Sequence, residues 1–541
     1  MNSAPLTPSP VLGEVIVDQL IKLGIKDAVI APGSRNAPLT MALWRAYEKG
    51  LIELHTRIDE RSAAFLALGI AKATGLPTPV ICTSGSAAAN FYPALLEAYH
   101  SAQPLIAITA DRPARLWQTG ANQTTRQINM FPAAVSETLN LSVNGEQAGQ
   151  VRTWRELITR VVTSNKPAHI NAEFEEPLLG TLEWNEPLEI ELPIPAPKSE
   201  NRGSLRNYQP RGVIVVGHDS AGISQEDIEQ FAQTSGWPIL SENPLVTQEA
   251  IAHTSLLLSD PIRRERLKPA VMMVVGRLTL SRAINSYVAS ADYQIVVDPR
   301  ISEVDVKRAA DELHTALPKI DQPTSPDSQW QNEFIVLSQK ISEKLPSLIK
   351  QWSEPAVARA LVSALPHGTT LFVASSRPIR DIEAFAEPRS GIEIFANRGL
   401  AGIDGNLATA LGIALSRERT YAIVGDLAFL HDINGLLLGS AERKPNLTII
   451  AISNDGGGIF STLPQSDVPG FEKIFGTPHG RDLAQVAESY GIDAIAVRTL
   501  DALVAQLARN SAGIRVIVCQ MPDRTSNAQL LKEINDSLAL L

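Results

Sequence analysis

The chain has 541 residues, 44% of them hydrophobic and 20% charged, with 48 Lys and Arg against 58 Asp and Glu for a formal net charge of −10. A length well beyond the ~100–200 residues of one domain predicts three units, each able to bury a sizeable core. The acidic balance argues against a polyanion-binding protein, so neither nucleic acid nor an anionic membrane surface is expected as a partner. Cys82 and Cys519 are far apart and form no CxxC pair, which argues against a disulfide framework or structural zinc and fits a reducing cytoplasm. No apolar run approaches the ~18 residues of a membrane span, so no membrane insertion is expected. Residues 1–10 lack a basic segment followed by an apolar stretch, so no signal peptide is expected either.

Taken in chain order, helical spacing over 11–23 stops at Gly24. Residues 27–30 read as a strand that runs into the turn Ala31-Pro32-Gly33-Ser34-Arg35-Asn36. A strand over 51–56 precedes helical spacing over 60–74, which stops at Gly75. Apolar runs at 80–82 and 105–110 read as buried strands leading into Thr83-Ser84-Gly85-Ser86 and Asp111-Arg112-Pro113. Such alternation predicts an α/β fold, a mostly parallel sheet flanked by helices. Pro, Glu and Ser over 186–210 mark a linker. The next unit has strands at 212–216, 271–275 and 294–297, and a linker over 318–328 follows it. The last unit has strands at 369–374, 393–396, 420–424, 447–452 and 514–519. The organisation expected is three α/β domains, 1–185, 211–317 and 355–541, joined by 186–210 and by a linker and helix over 318–354. Two domains with a long insertion is the alternative.

The strand at 420–424 ends in Gly425-Asp426-Leu427, and that at 447–452 in Ser453-Asn454-Asp455-Gly456-Gly457-Gly458. Adjacent parallel strands bring their C-terminal ends to one edge of a sheet, where ligands of open α/β folds sit. Asp426 and Asn454 should therefore meet, with the Gly456 carbonyl beside them. Magnesium, or manganese in its place, takes such oxygen ligands and completes its octahedron from phosphate and water. The glycines let backbone approach a diphosphate. Each segment alone is an ordinary turn; together, at two strand ends, they point to a metal–diphosphate site.

This spacing resembles the diphosphate-binding signature of the thiamine-diphosphate enzymes, with Leu427 where a glycine is common and Ser453 where an asparagine is common. The resemblance implies that superfamily's three-domain fold: pyrimidine-binding (1–185), central (211–317) and diphosphate-binding (355–541). It also implies a catalytic carboxylate against N1′ of the cofactor's aminopyrimidine. Glu60 in Ile58-Asp59-Glu60-Arg61-Ser62 is the candidate, although alone it reads as a first-turn acid favoured by the helix dipole. Sites in this superfamily form between domains of two subunits, which implies a homodimer or homotetramer.

Longer segments narrow the resemblance. Arg35-Asn36-Ala37-Pro38, Thr109-Ala110-Asp111-Arg112-Pro113, Gly120-Ala121-Asn122-Gln123, Asn397-Arg398-Gly399-Leu400-Ala401-Gly402-Ile403-Asp404-Gly405 and Asn454-Asp455-Gly456-Gly457-Gly458-Ile459-Phe460 are similar to the 2-succinyl-5-enolpyruvyl-6-hydroxy-3-cyclohexene-1-carboxylate synthases, the MenD family of menaquinone biosynthesis. That resemblance implies decarboxylation of 2-oxoglutarate and 1,4-addition of the succinyl carbon nucleophile to isochorismate. Both substrates carry two carboxylates, which suit several fixed arginines. Carried over by motif, Ser34, Arg35, Arg112, Gln123, Arg282, Ser376, Arg380, Arg398 and Leu463 are expected at the substrates. Ser84, Gly85, Gly425 and Leu427 are expected at the cofactor, with Ile403 wedged beneath it and Ile459 and Phe460 as apolar walls. Ser281 stands where some members have lysine, and Ser375 where an asparagine occurs. Arg277 and Arg300 read as solvated charges, and His55 and His431 as structural. The competing readings are an acetolactate-synthase or 2-oxoacid-decarboxylase relative and a non-catalytic protein that kept the fold. The joint presence of Glu60, Asp426 and Asn454 argues against the second.

Overall fold

Short apolar runs buried on both faces form most of the central strands of three sheets in the computed structural model, and every strand pairing within the sheets is parallel. The structure describes residues 8–143, 147–180, 203–300, 309–321, 325–509 and 512–541, so most of the 186–210 linker lies outside the described residues. The first sheet contains β1 (Asp27–Ile30), β2 (Glu53–Thr56), β3 (Thr78–Cys82), β4 (Leu105–Asp111), β5 (Glu137–Leu141) and β6 (Ala168–Glu173), in the order β2-β1-β3-β4-β6-β5. The second contains β7 (Gly212–Val216), β8 (Ile239–Ser241), β9 (Val271–Val275), β10 (Tyr293–Val297) and β11 (Glu312–His314), in the order β11-β10-β9-β7-β8. The third contains β12 (Thr369–Val373), β13 (Ile392–Phe395), β14 (Thr420–Gly425), β15 (Leu447–Ser453), β16 (Asp493–Val497) and β17 (Ile514–Gln520), in the order β13-β12-β14-β15-β17-β16. The first and third sheets thus share one topology. Helices flank all three, as the α/β reading expects.

The helix Glu60–Thr74 starts where the Asp59 carboxylate accepts from the N–H groups of Arg61 and Ser62, and it stops at Gly75 in the left-handed conformation. Its counterpart in the third domain, Asn406–Leu415, occupies the same place between the second and third strands. The two helices cross so closely that a Cβ added at Gly69 would lie 2.2 Å from the Thr409 carbonyl oxygen, and one at Gly412 would lie 2.2 Å from that of Leu66. Around this crossing one hydrophobic core runs through both domains, from Phe65 and Leu66 to Leu411 and Val424. A second core joins the middle sheet to the third domain: the helix Ser328–Leu348 buries Trp330, Phe334 and Ile341 against Phe385, Ile534 and Leu538.

β6 escapes the sequence pattern because alternate residues, His169, Asn171 and Glu173, are polar yet buried. Thr109 Oγ1 contacts His169 Nε2 at 2.7 Å and donates to Asn171 Oδ1 at 2.9 Å, while Asn171 Nδ2 donates to Asp111 Oδ2 at 3.0 Å, so most of these polar groups find partners on neighbouring strands, His169 Nδ1 excepted.

The crossing tolerates no added atom. Gly69→Ala should lower stability by roughly 1–3 kcal/mol through overpacking against backbone. Urea denaturation would read this as a lower midpoint, and an unchanged midpoint would show that the helices can separate freely.

Candidate active site

β14 and β15 run side by side with Gly425 opposite Ile452, so Asp426 and Asn454 emerge together at the C-terminal edge of the third sheet. Asp426 is 2% exposed, and its carboxylate accepts from the N–H groups of Leu427 (2.7 Å), Asn454 (3.1 Å) and Gly456 (2.9 Å). Burial pushes its pKa up, while the Gly456 N–H and His479 oppose the rise. The Gly456 carbonyl accepts from the Gly458 N–H at 2.9 Å. Gly456 has φ +133°, and a Cβ there would lie 2.0 Å from the Gly476 carbonyl oxygen, so this turn requires glycine.

Asn454 Nδ2 donates to Glu354 Oε1 at 2.7 Å, whereas Asn454 Oδ1 is buried without a partner. An orphaned amide oxygen costs about 1–3 kcal/mol unless something fills its place. Beside a carboxylate it suits an oxygen-seeking divalent cation. Among the described residues no group of three or more His, Cys, Asp or Glu could hold a metal ion. A cation here would therefore draw on the Asp426 carboxylate together with amide, backbone, phosphate and water oxygens. These residues fit a magnesium–diphosphate group.

A cavity of about 750 Å³ opens nearby, lined by Arg282, Arg377, Arg380, Glu383, Ile459 and Leu463 among others. Arg380 donates to the Ser376 carbonyl at 2.7 Å. Burial lowers its pKa to about 10, and the neighbouring Arg398, Arg377 and Arg282 add to the effect. Positive charge here exceeds its local partners, which suits an anion. Ser376 holds φ +75° at the start of the helix Arg377–Phe385, an uncommon backbone state for a residue with a side chain. Phe460 packs on Phe475 with ring centroids 5.6 Å apart.

Arg398 is nearly buried and donates to Thr279 O (2.7 Å) and Thr279 Oγ1 (3.2 Å). It lines a different cavity, of about 400 Å³, with Lys72 and Arg277. Arg277 is not a solvated charge: it bonds the His100 carbonyl and donates to Gly399 O at 3.0 Å, tying three domains together. Arg300 is likewise engaged, with Asp219 at 2.6 Å and Asp298 at 2.7 Å. Local sequence does not display these distant partners.

The first domain assembles its own group. Ser84 and Gln123 exchange hydrogen bonds (Ser84 Oγ to Gln123 O, 3.1 Å; Gln123 Nε2 to Ser84 O, 2.9 Å). Arg112 donates to the same Gln123 carbonyl at 2.7 Å and bonds Ser84 Oγ. Its pKa is lowered by burial and then by Arg35, which itself donates to Phe174 O (3.1 Å) and Glu176 Oε1 (3.2 Å). The Gly85 N–H is held by Gln127 Oε1 at 2.9 Å, and Ser34 is exposed in the turn before Arg35. Glu60 is half-buried, and no hydrogen bond or ion pair among the described residues engages its carboxylate. It lies near the end of β3, where burial and then its charge hold the Cys82 thiol pKa high. His55 is buried against Asp27 (3.0 Å), as a structural histidine should be, while His431 is exposed and lends its carbonyl to Arg61.

Among the described residues no hydrogen bond or ion pair joins the Ser84–Arg112–Gln123 group to the Asp426–Asn454 group. Three large apolar side chains near Glu60 and Arg398 in sequence stand exposed: Ile58 at 68%, Leu400 at 53% and Ile403 at 37%. Three further residues were not legible in sequence. His479 Nε2 lies 3.2 Å from Asp426 Oδ2, and Glu354 meets Asn454 from 100 positions away. Glu97 accepts from the N–H groups of Gly399 and Leu400 at 2.8 Å each, holding the loop that carries Arg398 and Ile403. Glu354 reads as a helix-start acid after the capping Ser353, and neither His479 nor Glu97 carries any local signal.

The fold and these two groups define a thiamine pyrophosphate enzyme, and family models for the N-terminal TPP binding domain, the middle domain and the C-terminal TPP binding domain of such enzymes match residues 11–130, 194–373 and 381–519. A 2-succinyl-5-enolpyruvyl-6-hydroxy-3-cyclohexene-1-carboxylate synthase of Thermobifida fusca is 38% identical, with 99% of each chain covered. Proteins of the same name from Saccharopolyspora erythraea (38% identical, 95% of each chain) and Rhodococcus erythropolis (35% identical, 95% of this chain and 96% of the relative) are similar throughout. The chain belongs to this synthase (MenD) family of thiamine pyrophosphate enzymes.

Burial raises the pKa of Glu383, in the cavity wall, from 4.5 to about 8, against the Ser255 N–H that favours its charged form. The native state then holds a proton that the unfolded chain releases, so this contribution is full below about pH 4.5 and is lost as pH rises through about 8. Melting temperature should fall over that window, and Glu383→Gln should flatten the decline. An equal slope in the variant would exclude Glu383 as its source.

Proposed function

We propose that the chain decarboxylates 2-oxoglutarate on thiamine diphosphate and adds the succinyl carbon to isochorismate by 1,4-addition, giving 2-succinyl-5-enolpyruvyl-6-hydroxy-3-cyclohexene-1-carboxylate and carbon dioxide in menaquinone biosynthesis. The observation that carries this reading is the surplus of arginine around Arg380 in an apolar-walled cavity near the Asp426–Asn454 edge. Two dicarboxylates need such charge, and a decarboxylase acting on pyruvate does not. Thiamine diphosphate, when bound, supplies the electron sink that lets a 2-oxo acid lose carbon dioxide.

The chain's residues bind and orient. Asp426, Asn454 Oδ1 and the Gly456 carbonyl hold Mg²⁺, or Mn²⁺ in its place, against the diphosphate, with Gly425 and Leu427 alongside. Glu60 holds the proton at N1′ of the aminopyrimidine, and Ser84 and Gly85 contact the same ring region; the unengaged Glu60 carboxylate supports this role. Arg282, Arg380 and Arg398 bind substrate carboxylates from one side, and Arg35, Arg112 and Gln123 from the other, with the Ser34 and Ser376 hydroxyls between. Ile403 supports the cofactor from below, while Ile459, Phe460 and Leu463 exclude water.

The separation of the two groups within one chain supports a site shared between subunits of a homodimer or homotetramer. The exposed Ile58, Leu400 and Ile403 suit burial against a second copy. Three separate sheets support domains at 1–185, 211–317 and 355–541, joined by 186–210 and 318–354. Two buried free cysteines, and the lack among the described residues of any helix long and apolar enough to cross a membrane, suit a cytoplasmic location.

Purified protein with thiamine diphosphate and Mg²⁺ should consume isochorismate only when 2-oxoglutarate is supplied; equal turnover with pyruvate alone would replace this reading. The shared site has its own test. Glu60→Gln and Asp426→Ala should each be inactive, yet co-expression should restore about a quarter of wild-type activity, because each hybrid dimer keeps one intact site. No restoration would put both residues in a site within one chain.

A further inference from the structure

An asparagine amide has an accepting oxygen and a donating nitrogen, and half a turn about its terminal bond exchanges them at small steric cost. Only the oxygen can ligate a cation, so something must fix which end Asn454 offers. Glu354 stands where it can do so. Its Oε1 accepts from Asn454 Nδ2 at 2.7 Å, both residues are buried, and Asn454 Oδ1 remains without a partner. Gly458 packs against the same amide nitrogen, where an added Cβ would lie 2.6 Å from Asn454 Nδ2. Glu354 itself is fixed as the first residue of the helix Glu354–Ala364, whose end is capped by Ser353. It does not line the arginine-rich cavity but a separate one of about 490 Å³, beside Trp352 and Asn527.

We propose that Glu354 is a positioning residue whose carboxylate fixes the Asn454 amide with its oxygen available to the divalent cation. The inference rests on the metal reading above. Turning the amide over would set its oxygen against the Glu354 carboxylate, two acceptors at contact, and aim N–H donors at the cation. One rotation incurs both penalties, so the carboxylate selects the ligating orientation before any metal arrives.

The test is a Mg²⁺ titration of full-length protein with thiamine diphosphate present, followed by tryptophan fluorescence, with thermal melting as the check on folding. Glu354→Met removes the acceptor and should raise the Mg²⁺ dissociation constant about tenfold or more, while Glu354→Gln, which can still present an oxygen to Asn454, should change it much less. Asn454→Asp sets two carboxylates against each other, and adding Glu354→Gln should restore affinity by donating its amide N–H to the new carboxylate. A merely structural Glu354 would not separate Glu354→Met from Glu354→Gln in Mg²⁺ affinity at matched melting temperature. Wild-type affinity in Glu354→Met, with affinity lost in Asn454→Ala, would overturn the inference and leave the metal site standing. Wild-type affinity in Asn454→Ala would remove the metal reading and the inference together. Should Glu354→Met not fold, the double variant decides: no recovery over Asn454→Asp overturns the proposal.

Discussion

The rest of the structure depends on the backbone contact between the helices Glu60–Thr74 and Asn406–Leu415, where Gly69 and Gly412 leave no room for a side-chain atom. The contact joins two domains whose sheets share one strand order, through helices that hold the same place in each. It therefore sits where a pseudo-twofold axis between the domains would pass. Glu60 begins one helix, and the loop of Arg398 and Ile403 leads into the other. Functional residues of both domains are thus fixed relative to a single rigid crossing, and the core around it extends through both sheets.

The shared topology also explains where the polar groups emerge. In the first sheet Ser84 and Gly85 follow β3 and Arg112 follows β4; in the third, Asp426 follows β14 and Asn454 follows β15. The third and fourth strands are neighbours near the middle of each sheet, and their C-terminal ends expose backbone N–H groups and turns to ligands. One framework has therefore been given two chemistries. One edge presents a carboxylate and an amide oxygen; the other presents a hydroxyl, an amide and a guanidinium.

Much of this was legible in sequence where the determinants are local. The strands at 27–30, 212–216 and 271–275 and the helix at 60–74 fall where apolar runs, helical spacing and the Gly75 stop put them. Asp426 and Asn454 were legible as a pair because strand-end turns have a fixed place in a parallel sheet. What escaped reading is non-local. β6 conceals its burial behind polar residues that hydrogen-bond across strands, and β16 is half-exposed at a sheet edge. Arg277 and Arg300 look solvated until the fold supplies carbonyls and carboxylates from distant segments.

Charge is segregated across the third domain, and that segregation has an energetic logic. Glu354, Asp381 and Asp426 are buried together near Arg377, while Arg380 faces the cavity with Arg282 and Arg398 close enough to disfavour its charge. Like charges held together without water raise the free energy of the unliganded fold. On the function proposed above, a divalent cation on the acidic side and a dicarboxylate on the arginine side would each relieve a repulsion that the core sustains. Such groups need little rearrangement when the ligand arrives, because packing has already fixed them. On that reading the two ligands are of opposite charge, so each would lower the electrostatic cost of holding the other. Their affinities would then be coupled through the same buried charges.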